Sequence, residues 1–220
     1  MERQRTALIS VFEKTGIVDF AKELIEMDWK IIASGGTAKT LTEAGLTVVD
    51  VATISGLGPI LDHRVVTLVP QIHGGLLALP KHVEELKRLG ISWIDLVCVD
   101  LYPLEAEIER NDSTRETVIE KTDIGGPTML RSGAKGLRIA ICDPKDRARV
   151  IRWLKLGEPD KEEFIRLLQG KVELTIAEYC LRSGLYQLSY GKKLPVDISR
   201  WLADLKEDTE VLLEGFIKPV

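Results

Sequence analysis

Residues 6–51 read TALISVFEKTGIVDFAKELIEMDWKIIASGGTAKTLTEAGLTVVDV, and this stretch decides the fold class. Residues 6–11 form a short apolar run rich in β-branched side chains, which reads as a buried strand. Ile17, Phe20, Ala21, Leu24 and Ile25 recur at helical spacing, so residues 16–27 read as an amphipathic helix. Residues 30–33 (KIIA) give a second strand. Residues 34–37 (SGGT) open a second helix that runs to about residue 44 and stops at Gly45, a C-terminal capping glycine. Residues 46–51 give a third strand. Two strand–helix alternations in succession predict an α/β fold: a mostly parallel sheet with right-handed crossovers, flanked by helices.

The pattern continues outward from this start. Residues 52–79 carry Gly56, Gly58, Pro59, Pro70, Gly74 and Gly75 and read as a loop-rich stretch. A short helix is expected at 82–89. The most apolar run, residues 94–101 (IDLVCVDL), reads as the central strand. Residues 113–121 read as helix, and Asp123-Ile-Gly-Gly-Pro127 as a turn into a further helix with proline near its first position. Residues 138–142 form another strand. Helices are expected at 146–156, 161–168, 172–190 and 197–205. The expected organisation is one domain over residues 1–193 and a helical C-terminal extension over 194–220. In that extension Trp201, Leu202, Leu212, Leu213 and Phe216 must pack on the domain or on a partner.

Composition excludes several classes. The chain of 220 residues has 30 basic and 34 acidic side chains and a formal net charge of −4, without the basic excess usual for nucleic-acid binding. No apolar run approaches the roughly 20 residues needed to span a bilayer, and no secretory signal precedes the first strand, so a cytoplasmic protein is expected. Cys98, Cys142 and Cys180 are widely separated in apolar surroundings and read as buried reduced thiols. With three dispersed histidines and no cysteine pairs, a structural zinc site is not expected.

In open α/β sheets ligands bind where strands end and helices begin. The loop after the first strand holds Ser10, Lys14, Thr15 and Gly16; the loop after the second holds Ser34, Gly35, Gly36 and Thr37. Small residues admit close backbone approach, hydroxyls donate to phosphate oxygens and Lys14 adds charge, so the pair suggests a phosphate cradle. Each loop alone could equally be a tight turn with a helix cap. Arg64 could grip a phosphate bidentately. His73 before two glycines is more often structural than catalytic. Tyr102, at the end of the apolar strand, could stack on a ring or merely line a rim. Asp123 before a helix, with Arg131 and Lys135 four residues apart on one face, is either an acid–base pair or a helix-dipole carboxylate with a solvated lysine.

ALISVFEKTGIVDFAKEL, ASGGTAKTLTEAG, TLVPQIHGGLLA, VDLYPLEAEI and DIGGPTMLRSGAKG together resemble, in order from about residue 5 to about 150, the inosine monophosphate (IMP) cyclohydrolase domain of the bifunctional purine-biosynthesis protein. The resemblance implies a methylglyoxal-synthase-like α/β fold. It also implies an activity: closure of the pyrimidine ring of 5-formamidoimidazole-4-carboxamide ribonucleotide (FAICAR) to IMP with loss of water, needing no cofactor. It assigns the 5′-phosphate to Ser10, Lys14, Thr15, Gly16, Ser34, Gly35, Gly36 and Thr37. Arg64 and Thr67 line the site, Asp100, Gly125 and Gly126 bind around the base, and Asp123, Lys135 and Tyr102 carry the chemistry. A homodimer is expected, and a separate transformylase chain to supply FAICAR. The bland alternative is a non-catalytic module of the same fold that binds a phosphorylated purine precursor.

The departures from the family pattern are specific. Where members read GRVKTLHPKIHGG, residues 63–75 read HRVVTLVPQIHGG, so the lysine that assists catalysis is Val66. Asp100 replaces an asparagine and would repel an electron-rich base edge. Lys39, Lys81 and Lys192 are the candidates to supply the missing amine. The helix expected at 172–190 lacks the family's Phe-His-Thr-Ala and Tyr-Asp patterns.

Overall fold

The computed structural model describes residues 3–56, 58–61, 64–189 and 196–216. Five strands, β1 (Thr6–Ser10), β2 (Lys30–Ala33), β3 (Val48–Asp50), β4 (Leu96–Val99) and β5 (Ile139–Ile141), form one parallel sheet in the order β3-β2-β1-β4-β5. The helices are α1 (Ile17–Glu26), α2 (Gly35–Glu43), α3 (Val51–Ser55), α4 (Pro70–Leu77), α5 (Val83–Leu89), α6 (Leu104–Glu109), α7 (Arg115–Lys121), α8 (Gly125–Lys135), α9 (Asp146–Lys155), α10 (Lys161–Ser189) and α11 (Val196–Phe216). A single 3-10 turn, Pro80–His82, precedes α5.

Alternation along each strand builds two cores. Ala7, Ile9, Ile31, Ala33, Leu96, Cys98, Ile139 and Ile141 face α1, α2 and α9. Leu8, Ile32, Val97, Val99 and Ala140 face α4, α8 and the middle of α10. A sheet buried on both faces needs apolar residues at every position, which explains the unbroken apolar runs in the sequence. Gly133 of α8 lies against Val97, where a Cβ would come within 2.5 Å of Cγ1, so this helix packs closely on β4.

Four sequence expectations are corrected. The central strand is β1, not β4, because β4 pairs with β1 on one side and the short β5 on the other. The 52–79 stretch contains two helices, α3 and α4. The helices expected at 161–168 and 172–190 are one continuous α10, whose Phe164 and Leu167 enter the first core, whose Val172 and Ile176 enter the second, and whose Tyr179 and Tyr186 pack with Leu104 and Val118. A mid-helix glycine such as Gly170 costs about 1 kcal/mol relative to alanine, less than burial on both sides of it contributes. Of the cysteines, Cys98 and Cys142 are buried but Cys180 is exposed.

The C-terminal helix packs along α10. Leu213 is fully buried and Phe216 lies against the first core, while Leu212 faces solvent. The side chains of Trp201 and Leu202, and the expected boundary at 193/194, lie outside the described residues. Beneath α11 the Lys171 ammonium, 3% exposed, pairs with Asp143 at 3.0 Å, with Asp146 at 2.9 Å and with Glu210 of α11. Arg149 joins Asp146 at 2.8 Å, Glu210, and Glu214 at 2.9 Å. No helix among the described residues is long and apolar enough to cross a membrane.

Candidate functional site

The sheet order reverses direction at β1: β2 and β3 extend one way, β4 and β5 the other. The crevice beyond the carboxyl ends of β1 and β4 is therefore the topological switch point where α/β sheets bind ligands. Residues 11–16 emerge from β1 into this crevice and residues 100–103 from β4.

On the β1–β2 side, the Ser10 and Ser34 hydroxyls lie 2.6 Å apart across the strand ends. Thr37 is buried; its hydroxyl accepts from the Val11 N–H and donates to the Val11 carbonyl, both at 3.1 Å, fastening the first loop to α2. The N-caps of α1 and α2, Gly16 (φ 70°) and Ser34, form no side-chain cap; the Ile17 N–H donates to the Lys14 carbonyl and the Thr37 N–H to the Ser34 carbonyl, which leaves the amides of Val18, Gly35 and Gly36 to meet an anion. Lys14 lies between them: its ammonium donates to the Val11 carbonyl and, at 3.0 Å, to the Phe12 carbonyl. Burial lowers its pKa, against the charges of Asp100 and Glu13. Thr15 is engaged within the loop, its N–H and hydroxyl donating to Glu13 at 2.9 and 2.7 Å.

On the β4 side, Asp100 is turned toward this same loop. Its carboxylate accepts the N–H of Phe12 and, at 3.1 Å, of Glu13, and pairs with Arg147 at 3.4 Å. Burial pushes its pKa up, opposed by those amides and by Arg147. Arg147 is itself buried and donates to the Thr15 carbonyl at 3.0 Å, so one arginine at the start of α9 joins both sides of the crevice. The Phe12 and Tyr102 rings meet edge to face at 5.2 Å, both half-exposed over its mouth.

Asp123 sits at the far wall. Its Oδ1 accepts the Gly126 N–H at 2.9 Å, and its own N–H donates to the Tyr179 hydroxyl at 2.6 Å. Gly126 has no room for a side chain: a Cβ would come 2.3 Å from Asp123 Oδ2 and 2.9 Å from Leu101 Cδ2. Buried Thr67 completes the wall, its hydroxyl 2.9 Å from where a Gly125 Cβ would stand. Burial raises the Asp123 pKa, opposed by the amides of Gly126, Gly125 and Tyr102. A carboxyl shifted toward neutrality at the amino end of a helix can exchange a proton with a bound group while amides beside it hold developing negative charge.

The structure thus brings together Ser10, Lys14, Thr15, Gly16, Ser34, Gly35, Gly36, Thr37 and Asp100 around the first loop, and Thr67, Tyr102, Asp123, Gly125 and Gly126 around the start of α8. One residue stands apart. Lys135 is exposed in the last turn of α8, about 15 Å along the helix from its first residue at 1.5 Å per residue. Arg131, expected on the same face, pairs with Glu173 at 3.3 Å. Arg64 pairs with Glu120 of α7. His73, on α4, is bonded through Nδ1 to Ser132 of α8 at 2.9 Å, and burial lowers its pKa. Of the alternative amines, Lys39 is exposed and lies 3.8 Å from Glu43, Lys81 is exposed in the 3-10 turn, and Lys192 lies outside the described residues.

Phe12, Arg147 and Tyr179 belong to the site and escaped the sequence reading. Phe12 carried a usable signal, an aromatic within a loop of small residues. Arg147 and Tyr179 are 47 and 56 residues away from their partners Asp100 and Asp123, and no local pattern joins them.

Comparison with known proteins fits this geometry. The family model described as "MGS-like domain" matches residues 16–128. Among curated proteins, the bifunctional purine biosynthesis protein PurH of Pediococcus pentosaceus is 45% identical over 201 residues, 89% of this chain and 39% of that one. PurH of Leuconostoc mesenteroides is 43% identical over 79% of this chain and 35% of its own length. PurH of Chlorobium phaeobacteroides is 45% identical over 78% and 34%. The chain therefore spans well under half the length of these relatives. Among solved structures, the crystal structure of ForH superimposes with a TM-score of 0.70 at 30% identity, covering 80% of this chain and 93% of that one. The family match runs from the start of α1 into α8, over half of the chain, and the chain belongs to the MGS-like domain family.

Proposed function

We propose that this chain is an IMP cyclohydrolase that closes FAICAR to IMP and water. The observation that carries the proposal is the half-buried Asp123 at the start of α8, whose carboxylate accepts the Gly126 N–H, at the same end of the sheet as the helix N-termini of α1 and α2 and Lys14. The similarity to proteins named for purine biosynthesis supports the same substrate class.

In this reading the 5′-phosphate lies on the amides of α1 and α2 with Lys14 and the Ser10–Ser34 hydroxyl pair, and the base reaches toward Tyr102 and Asp123. The reaction joins two groups of one molecule, so the main contribution of the protein is to hold the reactive rotamer. The carboxamide nitrogen attacks the formyl carbon as Asp123 takes its proton. The formyl oxygen gains negative charge beside the Gly125 amide and Tyr102 and takes up the proton that Asp123 received; the hydroxyl then leaves as water with the proton of the former formamide nitrogen, as the ring C=N bond forms. Lys135 is too far along α8 to share this step with Asp123 in one chain. A homodimer, FAICAR supplied by a separate transformylase and a cytoplasmic location belong to the same proposal.

A second reading, a module that binds a phosphorylated purine precursor without turnover, draws on Val66, which is half-buried beside Thr67 where a family lysine is expected. Calorimetry with IMP tests what both readings share, and a ring-closure assay separates them. Binding with accelerated closure supports the enzyme, binding without it supports the module, and no binding by the intact chain removes both.

A further inference from the structure

We infer that Tyr179, on α10, is the positioning residue that holds the Asp123 backbone in the arrangement ring closure requires; this rests on the cyclohydrolase reading. The Tyr179 hydroxyl accepts the Asp123 N–H at 2.6 Å and donates to the Lys121 carbonyl at 3.5 Å, so one buried side chain pins both ends of the short link between α7 and α8. The side chain of link residue Ile124 is exposed, and its carbonyl accepts the Thr128 N–H at 3.2 Å and hydroxyl at 2.7 Å, so the link is joined directly to the first turn of α8. The Asp123 carboxylate caps Gly126 from this link, so a shift of the link moves the carboxylate and the first turn of α8 together. Removing a distant hydroxyl can thus misplace the base, and a displacement of about 1 Å suffices to slow a reaction that depends on alignment.

The position of Tyr179 is set in turn. Its ring packs with Leu104, Val118 and Tyr186. The neighbouring Glu178 pairs with Arg182 at 2.9 Å and with Lys206 of α11, and Arg182 pairs with Glu105 of α6. These charged groups and Glu109 line a cavity of about 410 Å³ behind the hydroxyl. The raised pKa of Asp123 comes from burial and is opposed by the backbone amides of Gly126, Gly125 and Tyr102, and none of these charged groups is among its causes. Tyr179, pushed up to about 12 by burial, stays protonated through the neutral range.

The test compares Tyr179→Phe, which keeps the ring, with Tyr186→Phe, which removes the other buried hydroxyl of the cluster. For Tyr179→Phe, kcat for ring closure falls roughly tenfold with KM unchanged, and the acid limb of the rate profile moves to lower pH as the freed carboxyl gains solvent. Tyr186→Phe leaves both in place. Equal kcat and an unmoved acid limb for Tyr179→Phe would overturn the inference. Amide exchange on the unmodified protein gives a second arm that needs no variant to fold. Slow exchange of the Asp123 N–H supports the contact, and exchange as fast as that of exposed loop amides overturns it. An inactive wild type would sink the parent reading, leaving the exchange arm to judge the contact by itself.

Discussion

Oδ1 of Asp123 lies 2.9 Å from the amide nitrogen of Gly126, so the carboxyl group proposed as the base is also the cap of α8. Asparagine can keep that bond through its own Oδ1 while losing the basic oxygen. Asp123→Asn should therefore fold, bind IMP and lose at least about a hundredfold in ring-closure rate. Stability supplies the second check. Because burial raises the folded pKa of Asp123, its stabilising contribution is full below the ordinary carboxylate range and is lost as pH rises through the folded value. Denaturant titrations at pH 4 and pH 8 should show Asp123→Asn gaining on the wild type as pH increases; a variant that loses ground at pH 8 would contradict the assignment of burial as the cause.

Lys14 is the one ammonium within the first loop, held by two carbonyls of that loop and by no carboxylate at bonding distance among the described contacts. Its charge is thus open to a phosphate. Lys14→Ala should weaken IMP binding about tenfold or more, with a shallower dependence on salt than the wild type shows. Calorimetry at two ionic strengths measures both.

Lys171 is enclosed by Asp143, Asp146 and Glu210, and Asp146 is 1% exposed. Lys171→Ala leaves that buried carboxylate with Arg149 as its remaining partner, a loss below the roughly 3–5 kcal/mol of a fully unpaired buried charge. The pH dependence has a definite sign. Burial pushes Asp143 and Glu210 up, but the Lys145 amide and Lys171 outweigh it at Asp143, and Lys171 and Arg149 outweigh it at Glu210, so both are lowered. Their stabilisation is present above the ordinary carboxylate range and is lost as pH falls through their lowered values. Lys171 is raised, again against burial, by Glu210 and Asp146, so its contribution is full below its ordinary value of 10.5 and fades only in strong alkali. Denaturation midpoints from pH 3 to pH 10 should plateau in the neutral range and drop on the acid side, and Lys171→Ala should flatten the acid drop.

Val66 stands next to Thr67, whose hydroxyl touches the first turn of α8. An amine at position 66 would reach the space where the proposed oxyanion forms. Donors of that kind are typically worth about 10²–10³ in rate. Val66→Lys should raise kcat with little change in IMP affinity, and steady-state kinetics on the variant checks it.

The first fifty residues were legible because local signals agree there: apolar runs, helical spacing and punctuating glycines name each element, and the phosphate loops follow from where strands end. Strand order was not legible, since the apolar run of β4 reports burial on two faces and says nothing of its neighbours. The α4 helix was hidden by Gly74 and Gly75, which read as loop. In the structure Gly75 is there for contact, since a Cβ would stand 2.3 Å from the Ser92 carbonyl oxygen. Gly170 misled in the same way, splitting α10 in two on paper. At the site, Asp123 and the glycines after it announced a helix start, but Arg147 and Tyr179 reach their partners only through the folded sheet and α10.

The most direct measurement is the initial rate of FAICAR ring closure, followed by absorbance, at micromolar enzyme against the uncatalysed rate. The account predicts acceleration by the wild type that Asp123→Asn removes while IMP binding persists. A wild-type rate equal to the uncatalysed one, in protein that binds IMP, would contradict it.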